Sequence, residues 1–134
     1  MMRRVVPIIC AAVFSAACSQ QSTGGGSAAP QEQRGEQLYA QNCAPCHRQD
    51  GTGVPNVYPS LIGSAAVLGP PVELAQWVLS QKRPASIPAG RYPTQMLLFG
   101  WMKDADAAAL LTYIRSNFGN SAPPVDAATI AKAR

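Results

Sequence analysis

The chain has 134 residues and a single histidine, placed directly behind two cysteines in Cys43-Ala44-Pro45-Cys46-His47. No other feature narrows the fold so far. Four cysteines occur in all, Cys10, Cys18, Cys43 and Cys46. In an exported chain an even count ordinarily signals disulfides. Here the pairing fails, because the first two are used up before the folded part begins. Arg3 and Arg4 precede a short apolar run over Val5 to Phe14, broken by Pro7, and the small residues Ser15-Ala16-Ala17 follow. That order predicts a cleaved export signal over residues 1–17, with Cys10 inside it. The run is too short for a permanent membrane span. Cys18 stands at the cleavage point, so Cys43 and Cys46 are left for the folded domain.

The C-x-x-C-H spacing is the attachment signature for covalent haem. Cysteines three apart lie on one face of a helical turn, so both sulfurs can meet one edge of a porphyrin. His47 follows at once and can turn beneath the ring to bind iron. A zinc cage would need four protein ligands, and two cysteines with one histidine fall short without carboxylates from elsewhere. A thioredoxin-like dithiol belongs to a strand-rich βαβ setting, which the pattern here does not provide.

A closed electron-transfer iron needs a second axial ligand. With no other histidine, bis-histidine ligation is excluded. Met1 and Met2 leave with the export signal, so Met96 and Met102 remain. Met96 sits in the apolar, loop-like stretch Tyr92-Pro93-Thr94-Gln95-Met96-Leu97-Leu98-Phe99-Gly100, which can curl over an open haem face. Met102 lies just before Asp104, the expected N-cap of the last helix, where a side chain more naturally packs on the first turn. Met96 is therefore the preferred ligand. Met102, and an open or lysine-ligated iron, are the alternatives.

The rest of the chain reads as helices and long loops, an all-α pattern without a convincing alternating strand. A first helix is expected over about Gln33 to Asn42, where Gly35 marks close approach of another helix. A second runs from Pro71 to about Gln81, with Glu73 near its positive end and Leu74, Trp77 and Val78 facing inward. The last is the clearest. Asp104 caps it, Asp106 lies in its first turn, and Ala107, Leu110, Leu111, Ile114 and Phe118 form one stripe. Arg115 lies near its negative end and Gly119 stops it. So loop-rich a small domain is hard to stabilise alone, and a buried haem would complete its core. Residues 121–134 read as a C-terminal tail.

Upstream, Cys18 and the polar Ser19-Gln20-Gln21-Ser22-Thr23-Gly24-Gly25-Gly26-Ser27 resemble a bacterial lipoprotein, with Ser15 in place of the usual leucine. Either Cys18 is lipidated and tethers the protein to a membrane, or it is a free thiol on a soluble periplasmic chain. Residues 18–32 form the linker, whose 19–31 coil would reach about 20 Å. The formal charge of +4 gives no case for nucleic acid. Without Arg3 and Arg4, nine basic and seven acidic residues remain, and two haem propionates would offset most of the excess.

Taken together, the residues resemble a class I cytochrome c over about 33–120. The likeness rests on Gly35 and Tyr39 before the Cys43–His47 motif, Gly51-Thr52-Gly53, Tyr58-Pro59-Ser60-Leu61-Ile62-Gly63, Met96 before Phe99, and Leu111-Thr112-Tyr113-Ile114-Arg115. It is similar in particular to the cytochrome c subunits of bacterial membrane dehydrogenases and some terminal oxidases, which commonly end in an aromatic residue plus Gly-Asn, as Phe118-Gly119-Asn120 does here. The resemblance implies one haem c held by Cys43 and Cys46, with His47 as proximal ligand and Met96 as distal ligand. It also implies that the Pro59 carbonyl fixes His47, and that Gly35 and Tyr39 cross the last helix near Tyr113. One departure stands out. Relatives usually carry proline after the distal methionine, whereas Leu97 and Leu98 follow Met96, which loosens the loop's preorganisation.

The expected function is a monomeric, periplasmic one-electron carrier of a respiratory chain, not an enzyme, exchanging electrons with a redox donor and acceptor at the haem edge beside the cysteines. Two rivals remain: a fixed subunit of a dehydrogenase or oxidase complex, and an open-site haem enzyme or gas sensor.

Overall fold

The computed structural model describes residues 28–134. The expected export segment, Cys18 and most of the linker lie outside the described residues. Among the described residues, six helices make up the regular structure: α1 Ala28–Asn42, α2 Ala44–His47, α3 Ala65–Leu68, α4 Pro71–Ser80, α5 Asp104–Ser116 and α6 Ala127–Ala133. Among the described residues there is no strand, only one isolated antiparallel bridge between Val54 and Tyr58. The all-α architecture read from the sequence is the observed one.

The scaffold is the crossing of α1 over α5. A Cβ on Gly35 would lie 2.4 Å from the Ala109 carbonyl oxygen and 2.7 Å from Tyr113 Cβ. Only a hydrogen at this position lets the two backbones approach so closely. Tyr39, Tyr113 and Phe118 close the crossing as an aromatic cluster, with ring centroids 4.9–5.7 Å apart. At the solvent edge Arg34 grips Asp106 through two bonds of 2.8 and 2.9 Å. That bidentate pair holds the Asp106 carboxyl below its usual range, first through the hydrogen bond to Arg34.

Several boundaries differ from expectation. Helix α1 begins at Ala28, inside the stretch read as linker. Pro30 does not prevent this, because a helix tolerates proline in its first turn. Helix α3 was not legible as an element, and it buries Val67. In α4, Leu74 and Val78 face inward as expected, but Trp77 is only half-buried and carries the Arg83 guanidinium 4.9 Å from its ring centroid. Asp104 is the first residue of α5 rather than its cap. Lys103 takes the cap position, and the Asp104 carboxylate pairs at 2.7 Å with Arg134.

Arg115 is the largest fully buried side chain. It does not simply complement the end of α5. Its guanidinium donates to the carbonyls of Val67 at 2.5 Å, Gly69 at 2.8 Å and Pro123 at 2.9 Å, joining three segments. Asn120 does similar work with a fully satisfied buried amide. It donates to Leu61 and Ile114 carbonyls and accepts from the Gly63 N–H.

The stretch read as a tail, 121–134, carries α6. Asp126 caps it by accepting from the Thr129 N–H at 2.7 Å, and Ile130 and Ala133 are buried against α4 and α5. Arg134 then donates to the Gly100 and Met102 carbonyls. Two substitutions test this packing by denaturant unfolding. Ile130→Ala is expected to cost about 2–5 kcal/mol as a buried truncation, and a negligible change would mean that α6 is not docked in solution. Gly35→Ala is expected to cost about 1–3 kcal/mol by overpacking the α1–α5 crossing.

Candidate functional site

The candidate site begins where α1 ends. Cys43 stands between α1 and the single turn of α2, whose N–H groups are drawn back along the chain, Cys43 to the Tyr39 carbonyl and His47 to the Cys43 carbonyl. This turn places both cysteines and the histidine on one short element. Cys43 is buried, Cys46 is half-buried, and neither is in a disulfide. Burial, then the neighbouring Cys46, pushes the Cys43 thiol up to about 12. A reactive dithiol needs the opposite shift. Among the described residues, no three His, Cys, Asp or Glu side chains gather as a metal cage. The zinc and dithiol alternatives therefore find no support in the geometry.

The turn ends abruptly at Arg48, whose φ of 64° is left-handed. Its carbonyl accepts from the Tyr39 hydroxyl at 2.6 Å. Through Tyr39, the α1–α5 crossing and the cysteine turn are one packed unit.

His47 is 8% exposed, and its Nδ1 lies 2.9 Å from the Pro59 carbonyl oxygen. A carbonyl only accepts, so Nδ1 carries the proton and Nε2 keeps its lone pair. Burial pulls the imidazole pKa down and favours the neutral ring, and the bond to Pro59 opposes this more weakly. A neutral imidazole with one nitrogen pinned and the other available is the donor that iron requires. Gly53 makes this approach work. Its N–H donates to the His47 carbonyl at 2.9 Å, its φ is +68°, and a Cβ there would lie 2.4 Å from the Pro59 carbonyl oxygen. Any side chain would push Pro59 away. In the sequence this cradle was marked by the closely spaced Gly51 and Gly53 and by the resemblance that implied a role for the Pro59 carbonyl.

A long loop joins α4 to α5. Met96 lies on it, half-buried and packed against the same apolar cluster that contains Cys43 and Ala44. Met102 is 2% exposed, inside the core. Both methionines lie on the segment between α4 and α5, and they differ in that Met96 is half-buried and Met102 is buried. The Met96 carbonyl accepts from the Gln81 side chain, a contact that the sequence did not reveal. A cavity of about 320 Å³ opens between the Thr52–Ser60 loop and Arg91–Tyr92, with Tyr58 among its lining residues. None of Cys43, Cys46, His47 and Met96 is among the residues that line it. Free thiols on one turn and a buried, pinned imidazole fit a covalently attached haem.

Comparison with known proteins agrees. Residues 32–118 match the family model for cytochrome c. The chain is 33% identical over 109 residues to the cytochrome c subunit of the quinone alcohol dehydrogenase of Gluconobacter oxydans, covering 78% of this chain and 22% of that protein. It is 29% identical over 92 residues to cytochrome c-552 of Thermus thermophilus, covering 65% of this chain and 70% of the relative. It is 28% identical over 93 residues to the gluconate 2-dehydrogenase cytochrome c subunit of Pantoea cypripedii, covering 67% of this chain and 21% of that protein. The chain thus spans about a fifth of the length of the dehydrogenase subunits it matches. With helices, cysteine turn and family match in accord, the chain belongs to the cytochrome c family of electron-transfer haem c proteins.

Proposed function

We propose that this protein is an exported, monohaem electron carrier of a respiratory chain, with Cys43 and Cys46 holding the haem through thioethers and His47 and Met96 binding the iron. The observation that carries this reading is the 2.9 Å bond between His47 Nδ1 and the Pro59 oxygen, on the same turn as two free cysteines. Bound haem supplies a one-electron iron couple. The chain supplies ligation, burial and docking. Pro59 fixes the ring of His47 and raises the basicity of Nε2. A methionine sulfur favours ferrous iron relative to a second histidine, which sets the potential on the high side. Pro45 is exposed and Cys46 half-buried, so the attachment turn reaches the surface where a redox partner can approach.

On this reading residues 1–17 direct export to the periplasm and Cys18 tethers the chain through a lipid. The cytochrome unit assigned to 33–120 is completed by α6. No described helix is long and apolar enough to cross a membrane. A second reading, a fixed subunit of a dehydrogenase complex, is favoured by the similarity to dehydrogenase cytochrome c subunits. Co-purification of a stable dehydrogenase from native membranes would support it over a monomeric free shuttle.

The optical spectrum of the oxidised, haem-loaded protein tests the ligation. Wild type is expected to show the weak far-red band of methionine sulfur on ferric iron, and Met96→Ala to lose it. Absence of the band in wild type would overturn Met96 as ligand and favour an open-site haem enzyme or sensor. Replacing both Cys43 and Cys46 by alanine is expected to leave haem that organic solvent extracts from the denatured protein. Retention of the haem after that treatment would refute thioether attachment.

A further inference from the structure

Helix α4 ends at Gln81 with φ 57° and ψ 24°, in the left-handed region. Its N–H closes the helix on the Trp77 carbonyl at 3.0 Å. Glycine is the usual residue at such a cap, because a Cβ there is strained. The chain spends a long polar side chain on this position instead. That side chain is not idle. Gln81 Nε2 donates to the Met96 carbonyl at 2.6 Å, and Gln81 Oε1 accepts from Gln95 Nε2 at 2.6 Å. The orientation of the amide is forced. A carbonyl can only accept, so the nitrogen faces Met96 and the oxygen is left for Gln95. One side chain therefore grips two consecutive residues of a loop that has no regular structure between α4 and α5. Three residues further on, the Phe99 N–H donates to the Val78 carbonyl at 3.1 Å. The Met96 segment is thus held at both ends against the last turn of α4 and its cap.

We propose that Gln81 is a positioning residue for the distal loop: its side-chain amide latches Met96 so that the sulfur stays poised to bind iron. The proposal rests on Met96 being the distal ligand. Gln81 does not itself touch the iron. It sets how often the loop swings away and leaves the sixth position open to an outside ligand. The apparent affinity of an outside ligand rises with the fraction of protein in the open state.

The test uses the full-length, haem-loaded ferric protein titrated with imidazole, read by loss of the far-red methionine band, beside thermal unfolding of the same samples. Gln81→Gly removes the latch and relieves the left-handed backbone. It is expected to keep its melting temperature within a few degrees while binding imidazole about tenfold more tightly, as loss of one net hydrogen bond implies. Gln81→Glu keeps the length of the side chain but turns an acceptor toward the Met96 carbonyl, and is expected to open the loop at least as much. A residue with only a structural role would change melting and leave the imidazole affinity alone. A wild-type band with unchanged imidazole affinity in both variants overturns the latch and leaves Met96 as ligand. No wild-type band overturns both.

Discussion

The contact on which the site depends is the crossing of α1 over α5 at Gly35. A hydrogen at that position lets the helices close until the Ala109 carbonyl and the Tyr113 side chain occupy the space of a missing Cβ. Tyr39, one helical turn further along, then falls among Tyr113 and Phe118. Its hydroxyl reaches out of this cluster to the Arg48 carbonyl. The place where the cysteine turn stops is thereby fixed by a helix pair that carries none of the chemistry. Packing sets the geometry first, and the ligands inherit it.

From that turn the site is assembled by backbone carbonyls more than by side-chain pairs. Pro59 offers its carbonyl to His47, Met96 its carbonyl to Gln81, and Val67 and Gly69 theirs to Arg115. Each loop around the candidate haem site is pinned by one buried or half-buried polar group from a helix or its end. This economy suits a small domain with little regular structure. A loop held by its own carbonyl can vary its side chains without losing its course, provided that the donor remains.

The same economy explains what could be read from the sequence. The Cys43–His47 motif was legible because its chemistry needs those residue types at that spacing. The α5 stripe was legible from its period, and Gly35 from its cost inside a helix. The Gln81 latch and the Arg115 junction were not legible, because their acceptors are main-chain carbonyls. Every residue has one, so no residue type marks the partner. Helix α6 was missed because it is short and alanine-rich, with Asp126 and Thr129 as its only signal. The Asp104 cap was displaced by Arg134, a partner 30 residues away.

Arg115 has one more consequence. A guanidinium stays charged throughout the accessible pH range, and carbonyls do not titrate at all. The junction of α3, α5 and the segment around Pro123 therefore contains nothing that acid can switch. The Arg34–Asp106 pair is different. Its carboxyl is depressed below the ordinary 3.8, so its support is complete above that value and fades as the pH falls through the lower folded-state value. Acid should thus loosen the outer edge of the α1–α5 crossing while the opposite end of α5 stays fastened.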